Sequence, residues 1–371
     1  MRSDIIVLQY NTASYEPQNK EQPMKYYAGL DVSMKETFVC VVDQSGKKIC
    51  DKRLPTDTKA IVAFFNNLNL DMELIGLESG SMSHWLTTEL QSLGLRVKCI
   101  DARHIAAVLS VKINKTDRND ARGIADAMRC ELYKEVKPKT RERISLMTLL
   151  NGRQLLVEQR VVLFNCVRGL FKPYGINLGS IGNGSKAIEI ILTKIKELPE
   201  AAFRAIQEMM KPLLTVIESI KELDKQVKEQ AKANKDVRLL MSIPGVGSVT
   251  ALRFVAEIGD PGRFMKSKPV GAYIGMTPRQ YSSGEIQKQG RISKCGPKAL
   301  RTLLVEAGVV ILSRTRSWSK LKAWGLRIQK RNGFKKAAVA IGRKLSVIMH
   351  RMLVTKEPFK FTDKEELRQA A

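Results

Sequence analysis

The sequence predicts an α/β N-terminal domain with helices on the faces of a mixed sheet, then a helical coiled-coil arm and a mainly α-helical C-terminal domain. Short strand-like runs alternate with helical patterns in residues 25–138. Long helical patterns follow in residues 139–235, and residues 236–371 are again helical in pattern and rich in lysine and arginine. Residues 1–24 are largely polar, and we expect them to form a flexible tail.

The α/β region begins with three strand-like runs joined by tight turns, at residues 26–31, 37–42 and 48–54. Short runs separated by turn residues are typical of an antiparallel meander. Helices and strands alternate afterwards, which together with the meander predicts a mixed sheet flanked by helices. The expected helices are residues 58–68, 84–93, 102–111 and 117–129, and the expected strands are residues 73–78 and 96–100.

The region after the polar break at residues 134–139 contains two long helical patterns, residues 145–171 and 201–232. The glycine-rich stretch 173–185 separates them. A leucine recurs at every seventh position of the first pattern, as in coiled coils, at Leu149, Leu156, Leu163 and Leu170. Two long antiparallel helices predict an arm used for oligomerisation. An ordinary layer of a helical bundle would give the same pattern.

The charge of the chain indicates a nucleic-acid partner. Its 371 residues include 63 Lys and Arg against 37 Asp and Glu, a formal net charge of +26. Each neutralised phosphate releases counterions and adds affinity. No apolar run approaches the roughly 20 residues of a membrane-spanning helix, so no membrane partner is expected. The six cysteines form no CxxC pair and the histidines number three, which argues against a zinc site and a disulfide framework and favours a cytoplasmic protein.

Four carboxylates are the candidate catalytic groups. Asp31 and Glu78 each end a strand-like run, and Asp117 and Asp120 lie three apart near the start of a predicted helix. A carboxylate at the end of a buried strand is costly unless something pairs with it, and a hard cation such as Mg²⁺ (or Mn²⁺) does so. Two such ions can activate a nucleophile and stabilise the leaving oxygen in phosphoryl transfer.

Each acid also has an ordinary explanation. Asp117 and Asp120 would favour the dipole of a helix N-terminus, and Asp31 would cap a turn. Asp101 and Asp126 are rival candidates, although Asp101 follows a strand and fits a helix cap. The order of the four acids on a strongly basic chain favours a metal-dependent enzyme that acts on nucleic acid.

A second candidate site surrounds Ser282 and Ser283, which precede a glycine in an exposed, flexible stretch. A serine hydroxyl is a poor nucleophile until a base or a metal activates it, and a plain turn would explain the segment as well. Ser293 is a weaker candidate that would contact phosphate. The nearby cations that would bind a phosphate and offset developing charge are Arg279, Lys288, Arg291 and Lys294.

Two further features of the C-terminal region indicate phosphate contact. Residues 243–247, with Gly245 and Gly247, are similar to the hairpin of a helix-hairpin-helix motif, whose amides bind phosphate without reading bases. A tight structural turn is the alternative. The helical pattern 318–353 is basic, and its Lys335 and Lys336 are expected to contact nucleic acid.

Taken together, these segments resemble the RuvC-like (RNase H-like) DEDD domain and the serine-bearing C-terminal domain of one group of insertion-sequence transposases, the group related to the Piv DNA invertase and known as bridge-RNA-guided recombinases. The resemblance extends from Lys25 to about Leu353. The segments that carry it are Gly-Leu-Asp at 29–31, Leu-Glu-Ser-Gly at 77–80, Lys-Thr-Asp-Arg-Asn-Asp-Ala at 115–121, and residues 243–247, 275–284 and 290–296.

The resemblance implies specific roles. The DEDD acids correspond to Asp31, Glu78, Asp117 and Asp120. The catalytic serine corresponds to Ser283 or Ser282, with Ser283 favoured. The family further implies a covalent serine–DNA intermediate, donor and target DNA as substrates, a non-coding bridge RNA as guide, and a nucleoid-associated homodimer that assembles into a tetramer, with acids and serine contributed by different subunits.

Two alternatives remain open at this point. A RuvC-like Holliday-junction resolvase or nuclease would use water as its nucleophile and would not need either serine. A non-enzymatic nucleic-acid-binding protein would need neither the serines nor the acids.

Overall fold

A computed structural model describes residues 24–110, 116–179, 182, 184–283 and 286–361. The predicted tail, residues 1–24, lies outside the described residues except for Met24. The described residues fall into two compact units that meet in the sequence between Lys139 and Thr140. The predicted arm and the predicted C-terminal domain both belong to the second unit, and the boundary between them stays a prediction.

The first unit is built on a five-stranded sheet in the order β3-β2-β1-β4-β5. Strands β1, β2 and β3 form an antiparallel meander, whereas β4 runs parallel to β1 and to β5. The prediction of a mixed sheet with helices is therefore confirmed. The strands are β1 (Tyr26–Val32), β2 (Glu36–Asp43), β3 (Lys48–Pro55), β4 (Met72–Glu78) and β5 (Val97–Ile100), and the helices are α1 (Thr58–Leu68), α2 (Ser83–Ser92), α3 (Ala102–Leu109) and α4 (Asp117–Arg129).

Side chains alternate between the two faces of the sheet, and each face has its own core. Ala28 and Leu30 of β1 pack with α1 and α2 in one hydrophobic cluster. Between them, Gly29 faces α4: a Cβ atom at Gly29 would lie 2.1 Å from the carbonyl oxygen of Ala121. Gly76 of β4 does the same, since its Cβ would lie 2.5 Å from the side chain of Met128. These two glycines let α4 lie directly on the centre of the sheet.

The second unit is mainly helical, and long helices α5 and α7 pack against each other. Its largest core is formed by α8, α9, α11 and α13 together with the first turns of α5, including Leu146 and Leu150. The helices are α5 (Arg141–Phe171), α6 (Ser185–Lys194), α7 (Glu200–Ala233), α8 (Lys235–Leu240), α9 (Ser248–Ile258), α10 (Val270–Tyr273), α11 (Lys298–Ser313), α12 (Lys320–Asn332) and α13 (Phe334–Thr355), and the strands are β6 (Pro278–Ser283) and β7 (Ile286–Ile292).

Several details were not predicted from the sequence. The helical pattern over 318–353 is divided into two helices, because Gly333 adopts φ +83, a conformation that glycine takes at little cost and that ends α12. Helix α6 was not expected; Ala187 and Ile191 on it complete a second core against α5 and α7. The middle of α5, from Asn151 to Leu163, has no fully buried side chain. Within the part of the chain that the structure describes, no helix is both long and apolar enough to span a bilayer.

Candidate active site

The ends of β1 and β4 place two of the candidate acids side by side. The parallel register pairs Leu30 with Leu77, and the next residues along these strands are Asp31 and Glu78. Neighbouring strands lie about 4.8 Å apart, and in-register side chains leave the sheet on the same face. Because Asp31 is two residues after Gly29, and Glu78 two residues after Gly76, this is the face that α4 covers.

The first turn of α4 places the other two acids at the same edge. Thr116 caps the helix by accepting a hydrogen bond from the amide of Asn119 at 3.2 Å. Asp120 immediately precedes Ala121, the residue in closest approach to Gly29. Asp120 is half-buried and Asp117 is exposed. The packing of α4 on Gly29 therefore positions Asp120 near the end of β1.

Strand β3 holds this first turn with two ion pairs. The Arg118 guanidinium lies 2.6 Å from the Asp51 carboxylate, and Arg53 lies 3.5 Å from Asp117. Hydrogen bonds from Arg118 and Lys48 lower the pKa of Asp51 below its usual value. Sequence reasoning did not identify Arg53 or Asp51, because only the strand register brings them beside α4.

The two rival acids are engaged elsewhere. Asp101 caps α3 by accepting a hydrogen bond from the Arg103 amide at 2.9 Å. It also forms an ion pair with the Arg103 guanidinium at 3.2 Å. Burial acts against ionisation of Asp101, but these hydrogen bonds outweigh it and lower the pKa. Asp126 is paired with Arg122 at 3.0 Å and with Arg129 at 3.9 Å. Both carboxylates thus have structural partners.

The acid edge, defined as Asp31, Glu78, Asp117 and Asp120, has the ligand chemistry that a hard divalent cation prefers, since carboxylate oxygens are the usual ligands of Mg²⁺. The backbone brings the acids to one place. Among the described residues, however, no three His, Cys, Asp or Glu side chains are grouped so that they could hold a metal ion. The residue types suit such an ion, but their side chains would have to move closer together to bind it, and Asp117 would have to leave Arg53.

The candidate serines lie on an exposed hairpin formed by β6 and β7. Ser283 pairs with Ile286 and Ser282 with Gln287 in the antiparallel register. Every residue of β6 is exposed. Gly284, which follows Ser283, lies outside the described residues. The hairpin has no partner sheet, as its two strands form a sheet of their own.

Alternation along β6 separates the two serines. Tyr281 pairs with Lys288 directly across the hairpin, so both side chains share one face. Ser283, two residues beyond Tyr281, lies on that face too, whereas Ser282 shares the opposite face with Gln280. Sequence spacing alone left this choice open.

The base of the hairpin is held by two glycines. A Cβ atom at Gly275 would lie 2.0 Å from the Cys295 carbonyl oxygen, and one at Gly296 would lie 2.1 Å from that of Tyr273. Both glycines have positive φ, +75 and +99. The Lys294 amide donates to the Gly275 carbonyl at 3.0 Å. These glycines belong to the motifs that carry the family resemblance, but their structural role is evident only in the folded chain.

The cations that were expected to bind phosphate remain on the surface. Arg279, Lys288, Arg291 and Lys294 are exposed, and Arg279 donates a long hydrogen bond of 3.5 Å to the carbonyl of Ser293. The amide of Ser293 donates to the Thr277 carbonyl, which places Ser293 in the base of the hairpin. The hairpin therefore presents positive charge around Ser283.

The turn between α8 and α9 contains the two glycines of the helix-hairpin-helix-like segment. Gly245 has φ +83, and its Cβ position lies 3.1 Å from the Ala307 carbonyl, so Gly245 packs on α11. Gly247 caps α9 and has open space around it. Elsewhere, Lys335 and Lys336 are exposed in the first turn of α13. The helix dipole disfavours cations there, which suits an anionic partner.

Comparison with known proteins gives a consistent result over both units. The model of the Transposase IS116/IS110/IS902 family matches residues 237–323, and that of the IS110-type DEDD transposase domain matches residues 28–176. The chain is 29% identical over 367 residues, 97% of this chain and 98% of the relative, to the transposase for insertion sequence element IS1111A of Coxiella burnetii. It is 27% identical to a probable family 20 transposase of Pseudomonas aeruginosa, covering 88% and 96% of the two chains. A pilin gene-inverting protein of Moraxella bovis is 32% identical over 149 residues, 38% of this chain and 45% of the relative.

Proposed function

This chain belongs to the IS116/IS110/IS902 family of transposases, and from that premise we propose that it excises and inserts an insertion-sequence element by metal-dependent serine attack on DNA, guided by a bridge RNA. The observation that carries the proposal is the acid edge. The register of β1 and β4 and the packing of α4 on Gly29 bring acids from three separate elements to one end of the sheet.

We propose that Asp31, Glu78 and Asp120, joined by Asp117, hold Mg²⁺ or Mn²⁺. The bound ion would polarise the phosphoryl group and neutralise developing charge on its oxygens. The side chains themselves contribute position. Asp31 and Glu78 are fixed by two paired strands, and Asp120 by a helix that has no room to move toward the sheet.

We propose Ser283 as the nucleophile and Ser282 as the second choice. Ser283 shares a face with Lys288, whose charge would hold a phosphate beside the hydroxyl. In the reaction the Ser283 Oγ–P bond forms as one ester P–O bond of the DNA breaks. The hydroxyl proton leaves to a base, and the departing deoxyribose oxygen takes up a proton. The phosphoester is thereby conserved on the serine, so that a second strand end can displace it.

The surface cations would bind the rest of the DNA. Arg279, Arg291 and Lys294 surround the hairpin, and Lys335 and Lys336 lie at the start of α13. Contacts of this kind position a duplex without reading its sequence. Gly247 would add a backbone amide at the open N-terminus of α9. We propose that sequence is read by base pairing with the bridge RNA, as in other guided systems.

The proposed homodimer, and the tetramer it forms, would use the long helices of the second unit. Leu155 and Val162, one heptad apart on α5, are 56% and 65% exposed, which is unusual for apolar residues on a two-helix pair. A partner helix would cover them. Analytical ultracentrifugation of the Leu155→Glu/Val162→Glu protein should show a smaller assembly than wild type. An unchanged mass would exclude Leu155 and Val162 from the subunit interface.

The catalytic proposal is tested by recombination of paired donor and target DNA with Mg²⁺ and RNA transcribed from the flank of the element, resolved on denaturing gels. Wild type, Ser282→Ala and Ser283→Ala are compared. We expect a protein–DNA adduct that survives denaturation and is absent from Ser283→Ala alone. Loss in Ser282→Ala alone would assign the nucleophile to Ser282. Cleaved ends without an adduct, unaffected by either change, would instead establish a hydrolytic nuclease.

A further inference from the structure

The second unit contains a cavity of about 460 Å³ between α12, α13 and the segment that follows α13. The cavity lies outside the serine hairpin and the α8–α9 turn. Its volume is within the range of small-molecule sites. Its lining combines apolar and basic side chains. The apolar ones include Leu321, Trp324, Ile348, Met352 and Phe359, the basic ones are Lys320, Lys344, Arg351 and Lys360, and the acidic one is Glu357. We call it the Trp324 cavity.

The walls of the Trp324 cavity are held in place from two sides. Trp324 and Phe359 both pack against the large core of the unit. The segment after α13 is tied back to the region around α8, because the Phe359 amide donates to the Ser242 Oγ at 3.2 Å and Lys356 pairs with Asp236 at 2.6 Å. These contacts hold the rings of Trp324 and Phe359 in place at the surface of the unit and keep the cavity between them open.

The rim of the Trp324 cavity is positive. Lys344 Nζ lies 5.9 Å from the centre of the Trp324 ring. The single acid of the lining, Glu357, is already paired with Lys360 at 3.2 Å. Neither Lys344 nor Arg351 has an ion pair with any carboxylate in the described part of the chain. An aromatic wall beside unneutralised cations matches a ligand that combines a flat ring with a phosphate.

We propose that the Trp324 cavity binds one unpaired nucleotide of a DNA strand, with its base against Trp324 and its phosphate at Lys344 and Arg351. The proposal rests on the function proposed above, in that DNA is the nucleic acid on which a transposase acts. Bases stack on aromatic side chains in single-stranded DNA, while the faces of a base within a duplex are covered by its neighbours. Strand exchange exposes such unpaired nucleotides, and this cavity would hold one.

The test uses full-length protein in which Trp324 is the only tryptophan, made by Trp85→Phe and Trp318→Phe in a chain that has three. Oligothymidylate is titrated into it, and the fluorescence of Trp324 is followed. We expect quenching by single-stranded DNA and little quenching by a blunt duplex of the same length. Lys344→Gln and Arg351→Gln should each weaken this binding by about fivefold or more.

Lys330→Gln is the matched control, because Lys330 is an exposed cation of the same helix as Trp324 and does not line the cavity. Equal losses in Lys330→Gln and Lys344→Gln would overturn the site, since they would reflect net charge alone. Equal quenching by the blunt duplex would contradict the proposal that the bound nucleotide is unpaired. Quenching by oligouridylate but not by oligothymidylate would contradict the proposal that the ligand is DNA. Asp120→Asn should leave the quenching intact, so loss of recombination and loss of this site are separable.

Discussion

The acid edge and the serine hairpin are built in opposite ways. Asp31, Glu78 and Asp120 rest on two in-register strands and a helix in contact with the sheet backbone. Ser283 lies on a two-stranded hairpin whose first strand is exposed throughout, and which is fixed only at its base. Isolated two-stranded hairpins are marginally stable in water. The fold therefore positions the acids, whereas the proposed nucleophile Ser283 would need a substrate or a partner to position it.

This difference separates two kinds of mutational effect. Changes at the acids themselves should abolish chemistry and leave the fold intact, while changes beneath them should unfold the first unit. At the hairpin, changes at the base should loosen the serine without unfolding the second unit, whose core lies in other helices.

The largest effect is expected for Asp120→Asn. Loss of the carboxylate charge removes one ligand from the proposed metal site, and recombination should fall on the order of 10³-fold or more. Stability should fall only slightly, by about 0.3–1 kcal/mol from the weaker interaction with the helix dipole, because Asp120 is only half-buried. Asp126→Asn, on the same helix and paired with Arg122, is the control and should stay active. Recombination of Asp120→Asn at the wild-type rate would remove Asp120 from the site.

Gly29→Ala tests the support beneath the acids. The added Cβ would lie 2.1 Å from the Ala121 carbonyl, so α4 must move away from the sheet, which should cost about 3 kcal/mol or more. Urea unfolding of a Trp318→Phe/Trp324→Phe background, followed by the fluorescence of Trp85, measures the loss, since Trp85 is in the first unit. Gly80 has open space around it, so the control Gly80→Ala should unfold at the same urea concentration as wild type. Similar midpoints for the two variants would contradict the close packing.

Gly296→Ala tests the anchor of the hairpin. Its Cβ would lie 2.1 Å from the Tyr273 carbonyl, and its φ of +99 is unfavourable for alanine, together about 1–3 kcal/mol of strain. Hydrogen exchange of the amides in residues 279–283 should become faster, with the helical core unaffected. Gly290→Ala, within the hairpin, meets only an ordinary contact of 3.4 Å. Equal exchange in both variants would show that the base does not hold the hairpin.

Much of the first unit could be predicted because its signals are local. The bounds of α1 and α4 agree with the expected residues 58–68 and 117–129, where Asp57 and Thr116 provide side-chain caps. Short strand-like runs separated by turn residues indicated the strands. The placement of acids at the strand ends also followed, since parallel strands end at one edge of a sheet.

The remainder depended on contacts between residues far apart in sequence. Nothing near Arg53 in the sequence indicates Asp117, because the two meet only through the β2–β3 register and the position of α4. Helix α6 has a short pattern after a glycine-rich stretch and is stabilised by α5 and α7, so the local signal was weak. Gly333 divided the C-terminal helix because its backbone is left-handed, which a glycine permits but does not require.

The Asp51–Arg118 pair gives a smaller, pH-dependent effect on how β3 holds α4. The pKa of Asp51 is lowered in the folded protein, so its contribution to stability is present above the unfolded pKa of about 3.9 and is lost as the pH falls through the folded value. Asp51→Asn should lower the unfolding free energy by about 1 kcal/mol or less at pH 7, and by progressively less as the pH falls below about 3.9. Asp71→Asn, an exposed carboxylate, is the control. A difference that did not shrink as the pH falls would have another cause.

The smallest effect is expected for Arg53→Gln, and it tests the metal binding proposed for the acid edge. Arg53 lies 3.5 Å from Asp117, and both side chains are more than half exposed, so the pair is weak. Because this pair would compete with the proposed metal ion for the Asp117 carboxylate, its removal should tighten Mn²⁺ binding about two- to fivefold by calorimetry. Arg96→Gln is the control, because it removes the same charge from the same unit. Arg96 immediately precedes β5 and therefore lies at the edge of the sheet opposite to the acids, so this change should leave the Mn²⁺ affinity unchanged. Equal tightening in both variants would mean that net charge, rather than release of Asp117, governs the affinity. Weaker binding in Arg53→Gln would mean that the arginine holds Asp117 ready for the ion instead of away from it.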